Sequence, residues 1–153
     1  MTKLISMLPS HVLRTDGGGT LGFGHINRCL VLADAIRERG GVPEIVLGTA
    51  SPDTHVHIAG AGHVCRQLDP AKIFDPEQTL HSAAFAIFDF SHRKTRSHIE
   101  EAHQLLEASQ KNDTRTLLID AKNEECLSAL TTMVADILVI PYAGADAEQV
   151  MPG

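Results

Sequence analysis

Five glycines stand between residues 17 and 24, and a histidine follows at once. The stretch runs Arg14-Thr-Asp-Gly-Gly-Gly-Thr-Leu-Gly-Phe-Gly-His-Ile-Asn-Arg28. Before it lies the short apolar run His11-Val-Leu. After it Ile26, Cys29, Leu30, Ala33 and Ile36 recur at helical spacing. The stretch therefore reads as a strand end, a glycine turn and the first turn of a helix. Glycine lets the backbone take positive φ or approach a ligand closely. A helix starting just beyond points unpaired N–H groups and its positive dipole end into the same space. The result is a place for an anion or a polar sugar, with one titratable imidazole at its edge.

The rest of the chain repeats the strand–helix alternation. Strands are expected over 11–15 (ending at Asp16), 44–48, 63–68, 85–90, 114–120 and 135–140. Helices are expected over 25–39, from Pro52 to Gly60 or Gly62, and over 76–83, 94–109 and 124–132. Gly40-Gly41 stops the first helix, and Ser51-Pro52 starts the second. Phe85-Ala-Ile-Phe-Asp-Phe90 is apolar on both sides, as a parallel strand covered on both faces must be. This pattern predicts an α/β fold, a Rossmann-like three-layer sandwich with a mostly parallel sheet. Residues 1–10 are read as a short extension and 11–153 as one domain. In such sheets ligands bind beyond the carboxyl ends of the strands. Asp16 with the glycine turn, Asp89 with Ser91 and His92, Asp120, and Pro141 with Tyr142 fall there.

A chain of 153 residues suits one domain. A domain of this length hides roughly 70% of the surface its unfolded chain exposes. A formal charge of −6 offers no broad basic face, which argues against a nucleic-acid partner. No apolar run is long enough to span a bilayer, and the opening ten residues make a poor signal peptide. Cys29, Cys65 and Cys126 form neither a zinc pattern nor a disulfide framework, and Cys29 falls on the apolar face of the first helix. A cytoplasmic location is the default expectation. His55 with His57, and His98 with His103, lack metal spacing on a helix face and read as surface residues. No metal and no cofactor is expected.

Gly17, Gly19 and Gly22 fit the G-x-G-x-x-G spacing of dinucleotide sites, but glycines this dense match by chance. No acidic residue closes the second strand at Leu47-Gly48, where a ribose-binding carboxylate is wanted. No Lys-Ser/Thr follows Gly24, so the phosphate-binding loop of nucleotide triphosphatases fails too.

The segment Gly22-Phe-Gly-His-Ile-Asn-Arg28, with Arg14-Thr-Asp before it and Cys-Leu-Val-Leu-Ala-Asp-Ala after, is more specific. It resembles the amino-terminal part of the UDP-sugar hydrolases of pseudaminic acid biosynthesis. Those enzymes have the glycosyltransferase B fold, two Rossmann-like halves facing across a cleft. They are similar to the transferase that adds N-acetylglucosamine to the lipid-linked peptidoglycan precursor. Arg14, Asp16, Gly22, Gly24, His25 and Arg28 stand at matching positions. Asp89 is similar to the aspartate that ends the family's later strand. Asp136-Ile-Leu with Tyr142-Ala143 is similar to the segment before the second half. The resemblance is strong over about 14–36 and extends over roughly 11–145. The family has consecutive acidic residues where this chain reads Ile119-Asp-Ala-Lys, and asparagine near Ile140-Pro141.

The resemblance implies hydrolysis of a UDP-linked amino sugar, with water attacking the anomeric carbon and the nucleoside diphosphate leaving. His25 is then the base, since an unperturbed imidazole accepts a proton near neutral pH. Asp16 orients His25 or holds sugar hydroxyls. Arg14 and Arg28 pair with negative charge, and Gly17, Gly22, Gly24, Asp89 and Tyr142 complete the substrate contacts. The family's second half supplies most of the uridine diphosphate site. That half is expected beyond residue 153 or on another chain, as in split glycosyltransferases. Alternatives are a non-catalytic sugar- or anion-binding module, the acceptor-binding subunit of a split transferase, and a fragment that forms a homodimer through its cleft wall. Each residue also has a purely structural reading: His25 as an exposed first-turn residue, Gly17 to Gly19 as a plain turn, the strand-end aspartates as caps, and the arginines as salt bridges.

Overall fold

The computed structural model describes residues 9–81, 83–90, 96–120 and 134–140. Six strands alternate with helices: β1 (Ser10–Gly17), α1 (Gly24–Glu38), β2 (Val42–Ala50), α2 (Pro52–Gly60), β3 (Cys65–Gln67), α3 (Pro76–Leu80), β4 (Phe85–Asp89), α4 (Arg96–Lys111), β5 (Arg115–Ile119) and β6 (Ile137–Val139). The sheet order is β3-β2-β1-β4-β5-β6, and every pairing is parallel. This is the order of the Rossmann fold, in which the chain reverses direction beside β1. β1 is central: Leu13 pairs with Ile45 of β2 on one side and Ile87 of β4 on the other. The expected helix over 124–132, with Cys126, Ser91, His92, Pro141 and Tyr142, lies outside the described residues.

Both faces of the sheet are covered. On one, Leu13, Ile45, Leu47, Ile87 and Ile119 pack against Ile26, Cys29, Leu30 and Ala33 of α1 and Ile58 of α2. On the other, Ala86, Phe88 and Leu118 pack against Leu80 of α3 and Ala102, Leu105 and Leu106 of α4. Burying each Leu or Ile side chain contributes about 1.5–3 kcal/mol. Strand side chains alternate between faces, so every strand residue can be assigned to the α1/α2 face or the α3/α4 face.

Local signals explain most boundaries. Gly40 has φ 81°, and Gly41 N–H bonds Ile36 O at 3.0 Å, which ends α1. Asp75 caps α3 by accepting from Gln78 N–H at 3.0 Å. α3 is shorter than expected because His81 turns left-handed at φ 45° and stops it. β3 also falls short of the expected 63–68: His63 N–H closes back on Ile58 O at 3.2 Å before the strand begins.

Candidate functional site

The glycine turn lies at the carboxyl end of β1, beside the reversal between β1 and β4. Gly18, Gly19 and Gly22 have φ of 81°, 55° and 69°, a region that side chains disfavour. Gly18 N–H bonds Gly22 O at 2.7 Å and closes the loop. Gly17 and Gly18 are also glycine for reasons of space. A Cβ on Gly17 would stand 2.3 Å from Ile26 Cγ1, and one on Gly18 2.1 Å from Thr54 Oγ1. Thr54 also donates to Gly17 O at 3.1 Å, which ties the turn to α2. Gly24 differs from both, because its Cβ would meet nothing within 4 Å and its φ is not positive. Nothing within the described residues requires glycine there. Phe23, which precedes α1, makes no side-chain cap, and among the described residues no side chain is seen to cap the first N–H groups of the helix.

His25, in the first turn of α1, and Arg28, one turn on, both point at Asp89. His25 Nδ1 lies 2.8 Å from Asp89 Oδ1. Arg28 donates Nε to Asp89 Oδ2 at 2.7 Å and Nη2 to Oδ1 at 2.8 Å, a two-pronged ion pair. Arg28 Nη2 also stands 3.0 Å from His25 Nδ1. The charged Asp89 oxygen is the stronger acceptor, so we assign the proton to Nδ1 and the lone pair to Nε2. Asp89 is 1% exposed, and His25 only 13%. Cys29, one turn along α1, has its thiol pushed up to about 12, first by burial and then by the charge of Asp89. It is a core residue and no nucleophile.

Asp16 does not orient His25. Strand alternation puts Val12, Arg14 and Asp16 on the α3/α4 face, whereas His25 sits on the α1/α2 face with Ile87 and Asp89. Asp16 Oδ1 instead accepts from Arg14 Nη1 at 3.0 Å and from Thr49 N–H at 2.8 Å. Burial alone would raise its pKa, but the charge of Arg14, the Thr49 N–H and His98 together hold it below the ordinary value.

Arg14 is likewise committed within the chain. It donates Nε and Nη2 to Glu101 at 2.5 and 2.9 Å, and Nη1 to Thr15 O at 2.6 Å as well as to Asp16. Four of its five N–H donors are thereby taken. Its guanidinium also lies 5.0 Å from the Phe90 ring centre. Its carboxylate partners outweigh the opposing effect of burial and raise its pKa. A Cβ on Gly48 would stand 2.1 Å from Arg14 Nη2. Where a dinucleotide fold ends its second strand in a ribose-binding carboxylate, this chain has a glycine with an arginine folded over it.

A cavity of about 600 Å³ opens on the α3/α4 face at the ends of β2 and β3. Arg14, Gly48, Thr49 and His98 are in its wall, and His25 is not. His98 was expected on the surface. It is half-buried, with Nε2 3.5 Å from Asp16 Oδ2 and its ring 5.9 Å from that of Phe90. The only sequence signal for it was its place in the first turn of a helix following a strand end. Asp120 is buried at the end of β5. Among the described residues no group of three or more His, Cys, Asp or Glu is placed to hold a metal, and no helix is long and apolar enough to cross a membrane.

No protein-family model matches this sequence, and no curated protein is significantly similar to it.

Proposed function

We propose that the chain is the amino-terminal half of a nucleotide-sugar hydrolase of the glycosyltransferase B type, with His25 as its base. The observation that carries this reading is the His25–Asp89–Arg28 cluster beside the glycine turn, at the crevice where such sheets bind ligands. Asp89 holds the imidazole through Nδ1, so Nε2 takes a proton from water. The water oxygen bonds to the anomeric carbon of a UDP-linked amino sugar. The bond from that carbon to the diphosphate breaks, and its electron pair leaves with the diphosphate. Arg28 holds Asp89 in place through its two-pronged pair. The glycine turn and the start of α1, where Phe23 makes no side-chain cap, offer N–H groups to sugar or phosphate oxygens. Most of the uridine diphosphate contacts come from a second half, as the resemblance to the pseudaminic acid hydrolases implies. The chain works in the cytoplasm in this reading.

The test is release of UDP from a UDP-linked amino sugar by the chain combined with its second half. General-base loss typically costs about 10²–10⁴ in rate. His25→Ala should lower kcat by that order, with KM little changed. Asp89→Asn should lower it comparably, because an amide no longer fixes the tautomer. Full activity in His25→Ala overturns the base assignment.

The internal bonding of Arg14 and Asp16 favours a second reading, a non-catalytic sugar-binding module, since two expected substrate contacts are taken up by the fold. Calorimetric binding of the nucleotide sugar to the chain alone, with no turnover when the second half is added, would support it.

A further inference from the structure

We propose that the cavity on the α3/α4 face is a second ligand site, separate from His25, for a neutral group rich in hydroxyls and amide, such as an amino-sugar ring. Its volume of about 600 Å³ lies within the range of small-molecule sites. Strand alternation sets it across the sheet from His25, so it does not depend on the hydrolase reading.

The charges of its wall point to a neutral ligand. Arg14 is paired with Glu101 and Asp16. Arg66 is paired with Glu44 at 3.1 Å and also donates to Thr79 O. Lys72 is paired with Asp69 at 3.7 Å, and Asp75 is the cap of α3. A charged ligand that draws on Arg14 must break its buried pairs, which costs free energy, whereas the exposed Lys72–Asp69 pair opens at little cost. A neutral ligand leaves the Arg14 pairs intact. The amides of Gln78 and Gln104 and the hydroxyl of Thr49 each donate and accept, as sugar hydroxyls and acetamido groups do. Leu68, Pro70 and Phe74 add an apolar strip for the C–H face of a ring.

A second observation comes from behind the wall. Asp16 Oδ2, on a side chain with no exposure, is the only buried side-chain oxygen or nitrogen among the described residues without a hydrogen-bond partner. His98 Nε2, in the cavity wall, stands 3.5 Å from it, within ion-pair range but beyond a good hydrogen bond. A ligand that presses His98 Nε2 onto this oxygen gives it the donor that it lacks.

The probe is N-acetylglucosamine, titrated into the ¹⁵N-labelled 153-residue chain and followed by NMR, with inorganic phosphate in a parallel titration. Saturable shifts are expected at the backbone amides of Thr49 and Leu68 and the side-chain amides of Gln78 and Gln104. Gln78 and Gln104 are exposed, so the double variant Gln78→Leu/Gln104→Leu should fold normally and weaken binding by about tenfold or more. The proposal is overturned by the absence of saturable shifts, by shifts gathered at the glycine turn instead, or by unchanged affinity in a folded double variant. It is overturned equally if phosphate displaces the same resonances at lower concentration than the sugar. Shifts confined to the cavity with no turnover at His25 would leave this site standing while the hydrolase reading falls.

Discussion

Gly24 opens α1 and Gly48 lies near the end of β2, and they should respond in opposite ways to alanine. At Gly48 the new methyl lands on the Arg14 guanidinium, which cannot retreat without breaking its bonds to Glu101 and Asp16. Overpacking of this kind costs about 1–3 kcal/mol, and Gly48→Ala should lose stability by that amount in urea unfolding. At Gly24 the methyl meets nothing, and alanine improves helix propensity by up to about 1 kcal/mol. Gly24→Ala should therefore be at least as stable as the parent while losing affinity for any ligand that seats on the start of α1. Asp16 gives a pH signature. Its folded pKa is depressed by Arg14, so it stabilises the fold above its unfolded pKa of about 3.9, and this contribution disappears as pH falls through the lower, folded value. Unfolding free energy measured from pH 6 down to 2 should fall steeply below about pH 4. Asp16→Asn should flatten that slope; an unchanged slope would locate the acid sensitivity elsewhere.

Among the described residues β6 is an edge strand of three residues, and the Asp136 side chain adds to its parallel ladder with β5. Asp136 accepts from Thr116 N–H at 2.7 Å and from Thr116 Oγ1 at 2.9 Å, while its own N–H donates to Thr116 Oγ1 at 3.0 Å. Asp136→Ala should cost about 1 kcal/mol and speed amide exchange in β6 without altering β1 or β2. Elements such as α1, β4 and β5 were legible because glycine stops, apolar runs and helical periodicity all agree along them. The partner of His25 was not legible. Asp16 and Asp89 are both strand-end aspartates, and the choice between them depends on which face each occupies. A parallel strand buried on both sides is apolar at odd and even positions alike, as Val12 and Leu13 are. The sequence of such a strand therefore carries no mark of which side faces α1. His98 was missed for the same reason, since only the sheet order brings its helix over β1 and Asp16.

Six parallel strands in one sheet tie the molecule together through β1. Leu13 is fully buried between β2 and β4 and packs under α1. Leu13→Ala should cost about 2–5 kcal/mol, and circular dichroism and NMR should report the same lowered midpoint if the sheet unfolds as one unit. The order of the strands also has a consequence for synthesis. β1 is made early, yet its neighbour β4 is completed roughly seventy residues later. At a ribosome speed of about 5–20 residues per second, the nascent strand waits roughly 4–15 s with one backbone edge unpaired. During that interval the apolar Val12 and Leu13 depend on β2 and α1 for cover. Production of the chain should thus be limited by sticking of the nascent strand more than by the stability of the finished sheet. Co-expressed chaperones that bind extended apolar segments should raise soluble yield more than stabilising substitutions in α4 or β5 do.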